Sequence, residues 1–254
     1  MLWNTSKING YVIKADDGTL GTVDDLLFDD LSWSIRWLVV DTGHWLSGRK
    51  VLLPVFALGH LDAEREQFSV HLTKKQVEES PDIDTHQPVS RQMETNIFDY
   101  YGWSPYWGSG YYMGGYGAMA AAPMVEPRLR EDEIRDSENR RGDPHLRSVE
   151  QVTGYHIDAH DGEIGHIADF LIGDSDWSIH YLVVDTRNWW PGKKVLISPR
   201  LARRVDWIKA EVTIDVDRET VKNSPDYHDQ TMIDRSYEQT LHHYYSAARS
   251  HDRQ

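Results

Sequence analysis

The stretch "LVVDTGHWLSGRKVL", residues 38–52, returns as "LVVDTRNWWPGKKVL", residues 182–196. The two lie 144 residues apart. Extending the match without a gap, from Gly10 with Gly154 to Tyr101 with Tyr245, gives 32 identities in 92 positions. Shared composition does not produce such agreement, so the chain is a duplication of one unit.

Each copy opens with a strand pattern, "GYVIKA" or "GYHIDA", followed by Asp17-Gly18 or Asp161-Gly162, a pair suited to a tight turn between strands. The next strand carries Gly21 or Gly165, which predicts a bulge, a bend or a close backbone approach. Then come "WSIRWLVVD" or "WSIHYLVVD", rich in β-branched and aromatic residues, and after a loop "RKVLLP" or "KKVLIS". A fifth strand, "QFSVHL" or "EVTIDV", alternates with period two and turns Val70 and Leu72, or Ile214 and Val216, inward. Thr73 or Asp217 then caps a brief helix that stops at Pro81 or Pro225. Ser90 or Asp234 is positioned to cap a second helical segment ending in Tyr100-Tyr101 or Tyr244-Tyr245. The fold class that follows is mainly β: two small antiparallel β-barrels in tandem, each followed by short helices, since closure removes exposed sheet edges.

Composition narrows the function classes. Hydrophobic residues are 39% of the 254, with ten Trp and thirteen Tyr, enough to build cores. A net charge of -14 repels a phosphate backbone, and the short basic run Arg200, Arg203, Arg204 does not offset it, so nucleic acid is not an expected partner. The absence of cysteine excludes disulfides and thiolate metal sites. No leader-like pattern and no long apolar run appears, so a cytoplasmic location without a transmembrane segment is expected.

The ordered set of Gly, Asp-Gly, Gly, an "LVVD" strand, a "KVLLP" strand and the terminal "LTKKQVEESPD" resembles the PRC-barrel domain. That family includes the cytoplasmic domain of the photosynthetic reaction centre H subunit and the C-terminal barrel of a ribosome-maturation factor. The resemblance implies PRC-type barrels and docking by protein contact onto a larger assembly. The expected division is a first barrel with its helices over residues 1–102, a linker over 103–146 that is aromatic and glycine-rich before turning densely charged, and a second barrel over 147–254.

Candidate binding residues lie in the duplicated loop: His44, Trp45, Arg49 and Lys50 in the first copy, and Asn188, Trp189, Trp190, Lys193 and Lys194 in the second. Loop-borne Trp beside cations has the composition of an interaction hot spot, and equally of indoles capping a barrel end. Asp41-Thr42 and Asp185-Thr186 end the central strands and are expected to hydrogen-bond their own turns. His156, His160 and His166 have Val12, Asp16 and Thr22 as counterparts, and His242, His243 and His251 lack chelating spacing, so no metal and no cofactor is expected. Neither a phosphate loop nor a nucleophile motif is present, so no catalytic residue is assigned.

The expectation is a non-enzymatic scaffold with an unknown protein partner, its two barrels packed as an intramolecular pseudo-dimer. One alternative is a metal- or small-ligand-dependent activity at the inter-barrel cleft, with His156, His160, Asp41 and Asp185 converging there. Another is peripheral membrane contact through the aromatic linker.

Overall fold

The computed structural model describes residues 1–46, 48–80, 97–103, 145–186, 193–228 and 233–251. Nearly all of the linker expected over 103–146 therefore lies outside the described residues, as do Pro81 and Ser90. The protein is mainly β, built from two seven-stranded sheets with matching strand order.

In the first sheet the order is β5 (Lys50–Pro54), β4 (Ser34–Asp41), β3 (Gly18–Asp29), β2 (Val12–Ala15), β7 (Gln67–Val70) and β6 (Leu58–Asp62). In the second it is β12 (Lys194–Ile197), β11 (Ile179–Asp185), β10 (Gly162–Gly173), β9 (His156–Ala159), β14 (Glu211–Ile214) and β13 (Ala202–Asp206). Pairing is antiparallel along each path except at β2 with β7 and β9 with β14, which are parallel. That parallel step departs from the wholly antiparallel barrels expected from the sequence; it brings the fifth predicted strand beside the first and curls the sheet.

Local chemistry accounts for the shape. A Cβ on Gly21 would overlap the carbonyl of Asp41, and one on Gly165 the carbonyl of Asp185, so glycine lets the long strand press against its neighbour. Asp17 and Asp161, from the Asp-Gly turns, accept the backbone N–H of Lys74 and Arg218, each at 2.8 Å. These bonds tie each turn to the start of a short helix, Lys74–Glu78 or Arg218–Asn223. Thr73 caps the first helix with Gln76 in a reciprocal box, and Asp217 caps the second through the Thr220 N–H. Val70, Leu72, Ile214 and Val216 are buried, as the alternation requires.

The sheets exchange their first strands. β1 (Leu2–Asn4) pairs with β10 of the second copy, and β8 (Leu146–Ser148) pairs with β3 of the first. The registers are equivalent: Leu2 faces Gly173 and Leu146 faces Asp29. At the pseudo-twofold axis Ser34 bridges Ser178, with Ile35 N–H donating to the Trp177 carbonyl and Ile179 N–H to the Trp33 carbonyl, both at 2.7 Å. Trp33 and Trp177 take left-handed backbone conformations, φ 56° and 51°, to aim those carbonyls. Phe28 and Phe170 meet across the copies at 6.1 Å, and one continuous core includes residues from both.

Candidate functional site

The first copy's loop is held by its own fold. The Trp45 indole is half-buried, donates to the Leu20 carbonyl at 2.5 Å, and lies 4.9 Å beneath the Lys74 ammonium. His44 is exposed beside it. Arg49 donates to the carbonyls of Glu78 and Ser80, satisfying the end of the helix Lys74–Glu78. Lys193 does the same in the second copy, reaching the carbonyls of Lys222 and Ser224 at 2.7 Å each and Asp226 at 2.8 Å. Lys50 bonds Asp24 at 2.7 Å, which raises the ammonium pKa. Lys194 faces Asp185, and its carbonyl accepts the Tyr227 N–H. Asn188, Trp189 and Trp190 lie outside the described residues.

At the strand ends Asp41, Thr42 and Thr186 bond within their own turns. Asp41 accepts the Gly43 N–H at 2.8 Å, while the Thr42 and Thr186 hydroxyls donate to the carbonyls of Arg49 and Lys193. The expected convergence of Asp41, Asp185, His156 and His160 at the axis does not occur. Because the Ser34–Ser178 bridge is antiparallel, β4 and β11 leave it in opposite directions. Each Asp lies seven residues from its bridging Ser, roughly 23 Å at about 3.3 Å per residue. His156 faces His166 on the second sheet, which in turn faces Asp185, so these groups gather at one far end. His156 also pairs with Glu163 at 3.2 Å. Among the described residues no group of His, Asp and Glu has metal-binding geometry.

Comparison with known proteins agrees with the first sheet. Residues 8–77 match the PRC-barrel domain family. This PRC-barrel segment spans β2 to β7 and most of the following helix. The chain is also 33% identical over 92 residues to an uncharacterized protein of Deinococcus radiodurans, covering 36% of this chain and 32% of the relative. The match thus spans about a third of that relative's length. No helix among the described residues is long and apolar enough to cross a membrane.

A cavity of about 700 Å³ is lined by residues of both copies, none of them among the four expected at an inter-barrel cleft. It lies between the β3–β4 turn of the first copy and the helix Arg235–His251, with Trp33, His180, Tyr181, Arg200, His242 and Tyr245 among its lining. Burial, with Glu238 next in effect, pushes the Tyr181 phenol up to about 12. Burial likewise raises the Tyr245 phenol. Asp176 accepts from Ser178 N–H and pairs with His180 at 2.9 Å, and these bonds outweigh burial to hold its carboxyl below the usual range. The aligned copies did contain a signal: Phe56, Phe98 and Trp103 face Arg200, His242 and Ala247 in the alignment. Such divergence becomes meaningful only once Arg200 and His242 are known to line one cavity.

Proposed function

We propose that the protein is a non-enzymatic cytoplasmic scaffold that docks onto a larger protein assembly through its two duplicated loops. The observation that carries this reading is the antiparallel Ser34–Ser178 bridge, which sends the strand ends bearing those loops to opposite ends of one interlocked body. Loops carried on strand ends that face apart suit bridging and not enclosing a substrate. The PRC-barrel match at residues 8–77 supports it through what the resemblance implies about docking. His44 supplies an exposed side chain, and Trp45 a rigid indole fixed by Leu20 and Lys74.

The test is affinity capture of the tagged full chain from its native lysate, with amine cross-links mapped at Lys50 and Lys194. A variant carrying His44→Ala and Trp45→Ala, checked for folding by circular dichroism, runs beside it. The expected result is a partner cross-linked near these lysines and depleted from the variant. Equal capture by both forms, with every cross-link elsewhere, overturns docking through the loops.

A further inference from the structure

We propose that the cavity between the β3–β4 turn and the helix Arg235–His251 is a binding site for a small aromatic carboxylate. Its volume, about 700 Å³, falls in the range of roughly 300–1,000 Å³ typical of small-molecule sites. The first copy shows what this place in the fold accommodates. There Trp37 meets Phe98 at 5.5 Å, Phe98 meets Phe56 at 5.5 Å, and Phe56 meets Trp103 at 5.2 Å, so a chain of aromatic rings occupies this place, with Phe56 at its exposed rim. The equivalent residues in the second copy are Tyr181, His242, Arg200 and Ala247. Three of the four rings are replaced by something other than a carbocyclic aromatic, and two of the replacements are a guanidinium and an imidazole.

The equivalence is structural as well as sequential. Tyr100 donates to the Gln76 carbonyl and Tyr244 to the Thr220 carbonyl, so both terminal helical segments dock on the same feature of their copies. Leu241 and Tyr245 remain buried, at 1% and 5% exposure, although the plug is gone. The helix has therefore kept its seat and left the space open. Trp33, Ile179 and Leu241 provide apolar wall for a ring.

Charge selects the rest of the ligand. The acids near the cavity are engaged with His180: Asp176 at 2.9 Å and Glu238 at 3.9 Å. Among the described residues no carboxylate pairs with the Arg200 guanidinium, whose exposed side chain stands where Phe56 stands in the first copy. A guanidinium with His242 beside the same cavity recognises a carboxylate through charge-assisted hydrogen bonds. This site is independent of loop docking, since none of the loop residues lines it.

Isothermal titration of the full chain with indole-3-carboxylate, and with uncharged indole-3-carboxamide as comparator, tests the proposal. The wild type is expected to saturate at one site with Kd below the order of 1 mM, and to bind the carboxamide roughly tenfold more weakly or worse. Arg200→Gln leaves the cavity open and is expected to remove that preference for the acid. The triple variant Arg200→Phe, His242→Phe, Ala247→Trp restores the first copy's plug and is expected to bind neither compound. Absence of saturation by the wild type, equal binding of acid and amide, or undiminished binding after Arg200→Gln overturns it.

Discussion

Asp169 of the second copy accepts the hydroxyl of Thr5, the first residue of the first copy's opening helix, at 2.8 Å. The same carboxylate takes Asn4 Nδ2 at 2.9 Å, Ser6 N–H at 3.1 Å and the Ser6 hydroxyl. Its counterpart, Asp25, accepts the Ser148 hydroxyl and the Glu150 N–H. The exchanged strands are thus locked by reciprocal carboxylates, but unequally.

Asp169→Ala is expected to destabilise the protein by about 3 kcal/mol, because buried donors at Asn4 and Thr5 lose their acceptor. Asp25→Ala should cost less, since it holds fewer donors and burial already raises its pKa against the bonds from Ser148 and Glu150. Urea denaturation at neutral pH compares them. Equal losses would show that the lock is symmetric.

The two copies should respond differently at the plug. Phe98 is 1% exposed within an aromatic cluster, so Phe98→Ala is expected to cost about 3 kcal/mol through cavity formation. His242 at the equivalent position is exposed, and His242→Ala should stay within about 0.5 kcal/mol. Thermal unfolding of the two variants decides the matter.

Acid should weaken the second copy's cap. The Thr220 hydroxyl and N–H hold the Asp217 carboxyl below its ordinary 3.8. Its folded pKa is therefore the lower one, and the stabilisation is complete above 3.8 and lost as pH falls through the folded value. Asp25 has the opposite sign: its contribution is complete below 3.8 and lost as pH rises through its raised folded value. Denaturation between about pH 5 and about pH 2.5 should show a shallower acid loss for Asp217→Asn than for the wild type. An unchanged slope would remove Asp217 from the acid response.

Much of the architecture was legible because the duplication repeats every strand signal, and Gly21, Asp17 and Thr73 each declare a backbone event through their own chemistry. The strand exchange was not. Between residues 2 and 9 and their counterparts 146 to 153, only Leu2 and Leu146 agree, so the repeat fades where the exchange occurs. Even a perfect repeat would not reveal it, because β1 against β10 and β1 against β3 use equivalent partners. The left-handed turns at Trp33 and Trp177 also carry no sequence signal, since glycine or asparagine is the usual mark of that conformation. Of the candidate loop, residue types were legible, but the engagement of Arg49 and Lys193 as helix caps depends on carbonyls 29 or more residues away.

The most direct test of the interlocked body is a pair of engineered disulfides, read cleanly because the chain has no cysteine of its own. Leu27 and Ser148 are direct partners across the exchanged strand, at a spacing a disulfide can span. In an unexchanged arrangement Ser148 would instead face Leu171, the counterpart of Leu27. After mild oxidation, peptide mapping should find the intramolecular bond in the Leu27→Cys, Ser148→Cys variant and not in the Leu171→Cys, Ser148→Cys variant. The reverse outcome would contradict strand exchange, and with it the two-ended body on which the functional proposal stands.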